Sequence, residues 1–177
     1  MFLDSSFEGT GVLWSVILLT GLGLITHIST RESERGTFEL LKLSSITRYQ
    51  LFLGRMAGSL FLLWILSTII TILYVVLFEN QFGNNLSLAY LVVLVGCVGI
   101  AAVGTLAAST ATPLHGGWMI TSLFSIPILL FTVIEASLRA TDSLVTNDSD
   151  FQLAFMLLIL YNLAFVTGGA WLSELSE

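Results

Sequence analysis

Charge is scarce in this chain: only 10% of its residues are Asp, Glu, Lys or Arg, while 55% are hydrophobic. A soluble globular domain carries about 25% charged residues. The shortage excludes a water-soluble fold, because a chain of 177 residues cannot hide this much apolar surface in its own interior. There is a single cysteine, Cys97, so no internal disulfide can form. Prolines number two, and there is no Pro/Gly/Ser-rich linker, repeat or low-complexity tract, which favours one domain over residues 1–177. No G-x-x-x-x-G-K-[ST] loop occurs, so the chain has no phosphate cradle of its own. A nucleophile–base pair at one depth is also missing. Ser125 falls in mid-span, whereas His27 and His115 fall near the inner edge, which argues against an intramembrane hydrolase. The same two histidines lack the company a metal or heme ligand set needs and are read as interfacial.

What is present is long apolar runs. A helix needs roughly 20 apolar residues to cross the hydrocarbon. Five stretches qualify, at 11–28, 53–78, 88–108, 118–134 and 151–172. Their apolar residues run on without alternating, as in helices and not in barrel strands. The expected fold is therefore all-α, a polytopic transmembrane bundle of five spans. Cys97 reads as a small packing residue. Trp14, Trp118 and Trp171 read as interfacial anchors, Trp64 as a packing residue and Asn162 as a polar contact between helices. In the third span Gly99, Gly104 and Ala108 read as helix-packing positions, Gly104 and Ala108 forming a small-xxx-small pair.

The few cations are unevenly placed. Five of six, Arg31, Arg35, Lys42, Arg48 and Arg55, lie in one short segment, four between the first two spans and Arg55 at the inner edge of the second, and Arg139 stands alone. Basic residues are retained on the cytoplasmic side. Residues 30–52 are thus expected to be cytoplasmic, with the chain in the cytoplasmic (inner) membrane and 135–150 in an outer loop. At its start, Glu135 sits one helical turn from Arg139, and an ion pair would offset the unfavourable placing of an acid at a helix C-terminus. Two readings stand side by side: a polar contact at the outer end of a shared cavity, or an interfacial acid marking a helix end.

The cytoplasmic segment is the most specific part of the chain. The first helix is expected to run to about Arg35, Gly36 to permit a turn, and Thr37 to cap a short helix over 38–43. Ser44 and Ser45 break it, and Thr47 can cap the next. Glu39 and Lys42 share one face of that short helix, and Phe38, Leu40, Leu41 and Leu43 cover the rest. So short and apolar a helix needs a groove to be stable. The resting place is either the headgroup layer or a protein. From Thr30 to Arg55 five cations meet three anions, Glu32, Glu34 and Glu39, a net of +2. This is a weak lipid tether and favours docking to a protein through Glu34, Gly36, Thr37, Phe38, Glu39, Leu40, Leu41 and Lys42.

The run ERGTFELL at 34–41, followed by Ser44-Ser45 and by LGR at 53–55, resembles the cytoplasmic loop of ABC-2-type transporter permeases. Two further runs, GIAAVGTLAA at 99–108 and PILLFTVIEA at 127–136, together with GVLW at 11–14, are similar to the heme exporter protein B family, the CcmB-type permease of cytochrome c maturation. The re-entrant Gly/Pro-rich element of generic ABC-2 permeases is not seen. The resemblance covers nearly the whole chain, from about Gly11 to Glu174. It implies that the short helix is a coupling helix seated in a separate ATPase subunit, which would hold the ATP. It also implies a role in delivering or releasing heme for c-type cytochromes, heme being substrate and not bound cofactor. The implied partners are that ATPase, a heme-handling membrane subunit and a small single-span subunit, in a homodimer or hetero-oligomer, with no nucleic acid. The family has six spans, one of them before the equivalent of Gly11, against the five read here, which leaves open whether a first helix is missing. A generic ABC-2 export permease and a non-transporting assembly scaffold are the competing readings.

Overall fold

The computed structural model describes residues 5–34, 48–78, 82, 85–111, 132–145 and 150–175. All regular structure among them is helical: α1 (Ser5–Glu34), α2 (Arg48–Leu77), α3 (Leu86–Ala111), α4 (132–145) and α5 (Phe151–Leu175). α2, α3 and α5 each contain a stretch long and apolar enough to cross a membrane, at Tyr49–Leu77, Leu86–Ala107 and Phe151–Trp171. Thr10–Ile25 is a shorter apolar stretch inside α1. α1 is 30 residues long, about 45 Å at about 1.5 Å per residue, so its polar end beyond Ile25 continues as helix past the apolar stretch. α1 is described to Glu34 and α2 from Arg48; the turn expected at Gly36 and the cap expected at Thr47 lie outside the described residues.

The bundle is inverted relative to a soluble one. Large apolar side chains cover the outer faces of α2 (Phe61, Ile65, Ile69, Ile72, Val76) and α5 (Leu153, Met156, Leu160, Leu163), all exposed. In water such faces would aggregate; in a bilayer they are solvated by lipid. Hydroxyls on these helices are satisfied locally. Thr20, Thr68, Thr71, Thr105, Thr141 and Thr167 each donate to the carbonyl four residues earlier, at 2.7–2.8 Å. No backbone or hydroxyl donor need then face hydrocarbon unpaired. The chain is an integral membrane protein.

α3 is the hub, packed against α1, α2 and α5. Its small residues allow this: Ala89, Gly96, Cys97, Gly99, Ala101, Ala102 and Gly104 are all buried, and small residues let helix backbones approach where no hydrophobic force drives association. Trp14 of α1 and Ser137 of α4 close on Gly96, and Val133 of α4 and Asn162 of α5 on Gly99. Ile25 of α1 occupies the space beside Gly104. At the other face of α5, Gly169 lies against Phe52 of α2 and Leu106 of α3.

Polar contacts fix the register. Trp64 Nε1 donates to the Leu94 carbonyl at 3.1 Å, and the Thr68 and Tyr90 hydroxyls share a bond of 2.9 Å, so α2 and α3 are antiparallel. Asn162 Nδ2 donates to the Val95 carbonyl at 2.8 Å, and with Gly169 against Leu106 this makes α5 parallel to α3. The midpoints of the three apolar stretches, Leu63, Gly96/Cys97 and Tyr161, therefore stand at one level, which marks the middle of the hydrocarbon layer.

Candidate functional site

The docking segment contributes one described residue. Glu34 is the last residue of α1; Gly36, Thr37, Phe38, Glu39, Leu40, Leu41 and Lys42 lie outside the described residues. The positions that frame the segment are described. The start of α2 is anchored by Phe52 and Met56, which pack with Ala101 and Ala102 of α3 and Ala170 of α5 in a small cluster at that end of the bundle. Arg55 is half-buried on the same turn of α2. The start of α2 is thus in direct packing contact with α3 and α5.

The second predicted position is Glu135. Arg139 Nη2 donates to Glu135 Oε1 at 2.8 Å, an i,i+4 ion pair with the side chains 71% and 46% exposed respectively. The pair is as the spacing suggests, but its setting is not. Residues 132–145 are helical, so Glu135 marks no helix end, and the outer loop expected over 135–150 is largely helix. The dipole penalty of an acid at a C-terminus does not apply. What holds these residues helical is packing. Val133, Ala136, Ala140 and Leu144, spaced three to four residues apart, face the core, while Glu135 and Arg139 lie on the opposite side; Asp142 is half-buried, with its Oδ1 buried.

The depth is also different from the expected one. Leu144 O accepts from Asn85 Nδ2 at 3.3 Å at the outer end of α3. Ser137 and Val133 lie against Gly96 and Gly99. Glu135 falls between them in sequence and so stands near the level of Cys97, the middle of the apolar layer, with Arg139 one turn toward the outer surface. An ionised side chain facing lipid at that depth costs about 2.5–3.5 kcal/mol on insertion scales. The charges are thus placed where only protein or water can accommodate them cheaply.

Two readings of single residues change. Trp14, expected at an interface, is fully buried and its Nε1 donates to Thr141 Oγ1 at 3.0 Å, tying α1 to α4. Its depth, beside Gly96 near mid-layer, and its inward direction both differ from the interfacial reading. Trp171 is exposed at the inner end of α5, a placement suited to an interfacial anchor. Asn162 makes the interhelical bond given above, and its Oδ1, buried and without a hydrogen-bond partner, lies over Gly99. Gly168, by contrast with Gly169, has open space around it. Ala108 lies in α3, and His27 is exposed on α1. Among the described residues no three of His, Cys, Asp and Glu gather as a metal site would require.

Comparison of the sequence with known proteins finds relatives among membrane permeases. The chain is 24% identical over 131 residues to the "Probable multidrug ABC transporter permease YbhR" of Escherichia coli, in strain K12 and equally in O157:H7. The match takes in 73% of this chain and 36% of the relative, so the chain spans about a third of the length of the curated relatives it matches. No solved structure matches. The family model for the CcmB protein matches residues 6–172, which is nearly the whole chain. By that match the chain belongs to the CcmB protein family.

Proposed function

We propose that this chain is the membrane permease subunit of an ABC transporter, with residues 30–52 on the cytoplasmic side of the inner membrane and a separate ATPase subunit seated on Glu34, Gly36, Thr37, Phe38, Glu39, Leu40, Leu41 and Lys42. The observation that carries the reading is the framing of the segment by two long helices, α1 unbroken to Glu34 and α2 starting at Arg48. Family membership and the permease likeness support it. ATP bound and hydrolysed on the partner would move the segment, and the packed helices would carry that movement across the bilayer. The test is purification in mild detergent. A nucleotide-binding subunit is expected at fixed stoichiometry. Glu39→Lys combined with Leu41→Asp is expected to remove at least nine-tenths of it, leaving the permease in the membrane. Retention of the subunit at the unaltered level would refute the docking assignment.

The cargo reading goes one step further. Membership of the CcmB family supports heme delivery or release for c-type cytochromes, in company with a heme-handling membrane subunit and a small single-span subunit. The likeness to a multidrug permease favours, as the second reading, a generic exporter. Deleting the gene separates the two. Heme staining of denatured membranes is expected to lose the covalently attached heme of c-type cytochromes while b-type spectra persist. Unchanged c-type staining would discard the heme reading and leave the exporter.

A further inference from the structure

Among the described residues three buried side-chain atoms have no hydrogen-bond partner: Ser137 Oγ, Asp142 Oδ1 and Asn162 Oδ1. Two of them converge on one turn of α3. Ser137 Oγ of α4 is 2.9 Å from where a Gly96 Cβ would stand, and Asn162 Oδ1 of α5 lies over Gly99. This turn is at the middle of the apolar layer. Both side chains are more than nine-tenths buried, Ser137 at 0% and Asn162 at 7% exposure. The direction of the amide is fixed, because the Val95 carbonyl can only accept. Asn162 Nδ2 therefore faces it, at 2.8 Å, and Oδ1 is turned the other way. Ser137 departs from its neighbours on α4. Thr141 and Ser143 donate to carbonyls four residues back, at 2.7 Å, whereas the Ser137 hydroxyl makes no such bond. The Thr141 proton goes to the Ser137 carbonyl, so it serves neither orphaned oxygen.

We infer that this junction of α3, α4 and α5 is a water site: one water, donating to Asn162 Oδ1 and sharing a hydrogen bond with Ser137 Oγ. No solvent or lipid group can satisfy these oxygens at such a depth, and internal waters are found at buried polar groups left otherwise unpaired. The chemistry of the pair selects the ligand. An amide oxygen only accepts, so the ligand must donate; a hydroxyl does either. Two neutral oxygens meet the two to four partners a water needs and are too few for a hard cation. Neighbouring side chains on one helical turn are about 5–6 Å apart, a gap that one water spans with a bond of about 2.8 Å on each side. The Trp14 ring and the Val133 side chain press on the same two glycines and close the site with apolar walls. The polar link from α4 to α5 then runs through an exchangeable molecule, while α5 is bonded to α3 directly. The inference rests on the helix packing alone and is independent of whether an ATPase docks at 30–52.

The experiment places the full chain, deuterated except for isotope-labelled glycine, in nanodiscs of deuterated lipid. Solid-state NMR then reads magnetisation passed from water to the glycine Cα protons. Gly21, packed against Ile100 and Leu63, and Gly104, packed against Ile25, are dry controls inside the same bundle. Transfer to Gly96 and Gly99 is expected to be at least threefold stronger than to either control. Ser137→Ala removes one partner without adding volume, and is expected to bring Gly96 and Gly99 down to the control level with the Gly21 and Gly104 resonances in place. Signals at Gly96 and Gly99 no stronger than the controls in the unaltered chain would overturn the inference, leaving Asn162 Oδ1 to accept only from the Gly99 Cα–H. An excess that survives Ser137→Ala in full would overturn it too. Should that variant fail to fold, the comparison within the unaltered chain decides.

Discussion

A Gly99→Leu chain is expected to yield no monodisperse folded protein. A Cβ at this position would overlap Asn162 Oδ1 and stand 2.6 Å from Val133 Cγ1, so three helices meet where the backbone of α3 is bare. Inserting volume into a well-packed site costs typically about 1–3 kcal/mol. Gly99→Ala is expected in that range. Leucine would have to push α4 and α5 off α3 together, which exceeds what a marginally stable fold can absorb. The measurement is fluorescence-detected size exclusion with thermal midpoints in detergent. Gly23→Leu is the control, because an added Cβ there meets nothing within 4 Å and points from the exposed face of α1. Equal behaviour of the two variants would show that α4 and α5 do not close on α3 as described.

Trp14→Ala is expected to have the next largest effect, about 3–5 kcal/mol, the range for truncating a buried large aromatic. Its ring fills the space beside Gly96 between α1 and α4, and its Nε1 holds Thr141. Trp14→Phe separates the two contributions: it keeps most of the packing and loses the hydrogen bond, at about 0.5–1.5 kcal/mol. Trp171→Ala is expected to shift stability by no more than about 0.5 kcal/mol, since Trp171 is 66% exposed and Trp14 is 0% exposed. Chemical unfolding in a defined detergent ranks the three variants. If the Trp171 variant proved the least stable, the placement of α1 in the core would be wrong.

The contrast between these tryptophans shows where reading a chain of this kind stops. Element type was legible, because backbone satisfaction in lipid leaves an unbroken apolar run little choice but helix. So was the interhelical use of Asn162, since a lone amide in mid-span must find a partner. The Glu135–Arg139 pair followed from spacing alone. Facing was not legible. When a helix is apolar on every side, as α1 is around Trp14, periodicity cannot say which side meets lipid, and the inward choice is made by shape, here a glycine on α3 opposite a large ring. The reach of α4 failed for a related reason. Charges at Glu135, Arg139 and Asp142 end a hydropathy run, but helix persists wherever Ala and Val recur on the packed side. The amphipathic spacing from Val133 to Leu144 was present in the chain, and depth, not propensity, was what only the register with α3 could supply. The docking positions from Gly36 to Lys42 lie outside the described residues and stand on sequence and on the helices that flank them.

The seat of Asn162 has a mechanical consequence. Its Nδ2 donates to the Val95 carbonyl while its Oδ1 lies beside Gly99, so one side chain bridges α5 to α3, and a roll or slide between the two helices would break that bond. Those two helices are therefore expected to move together. Relative movement within the bundle is expected first along the other seams, where α1, α2 and α4 meet the pair.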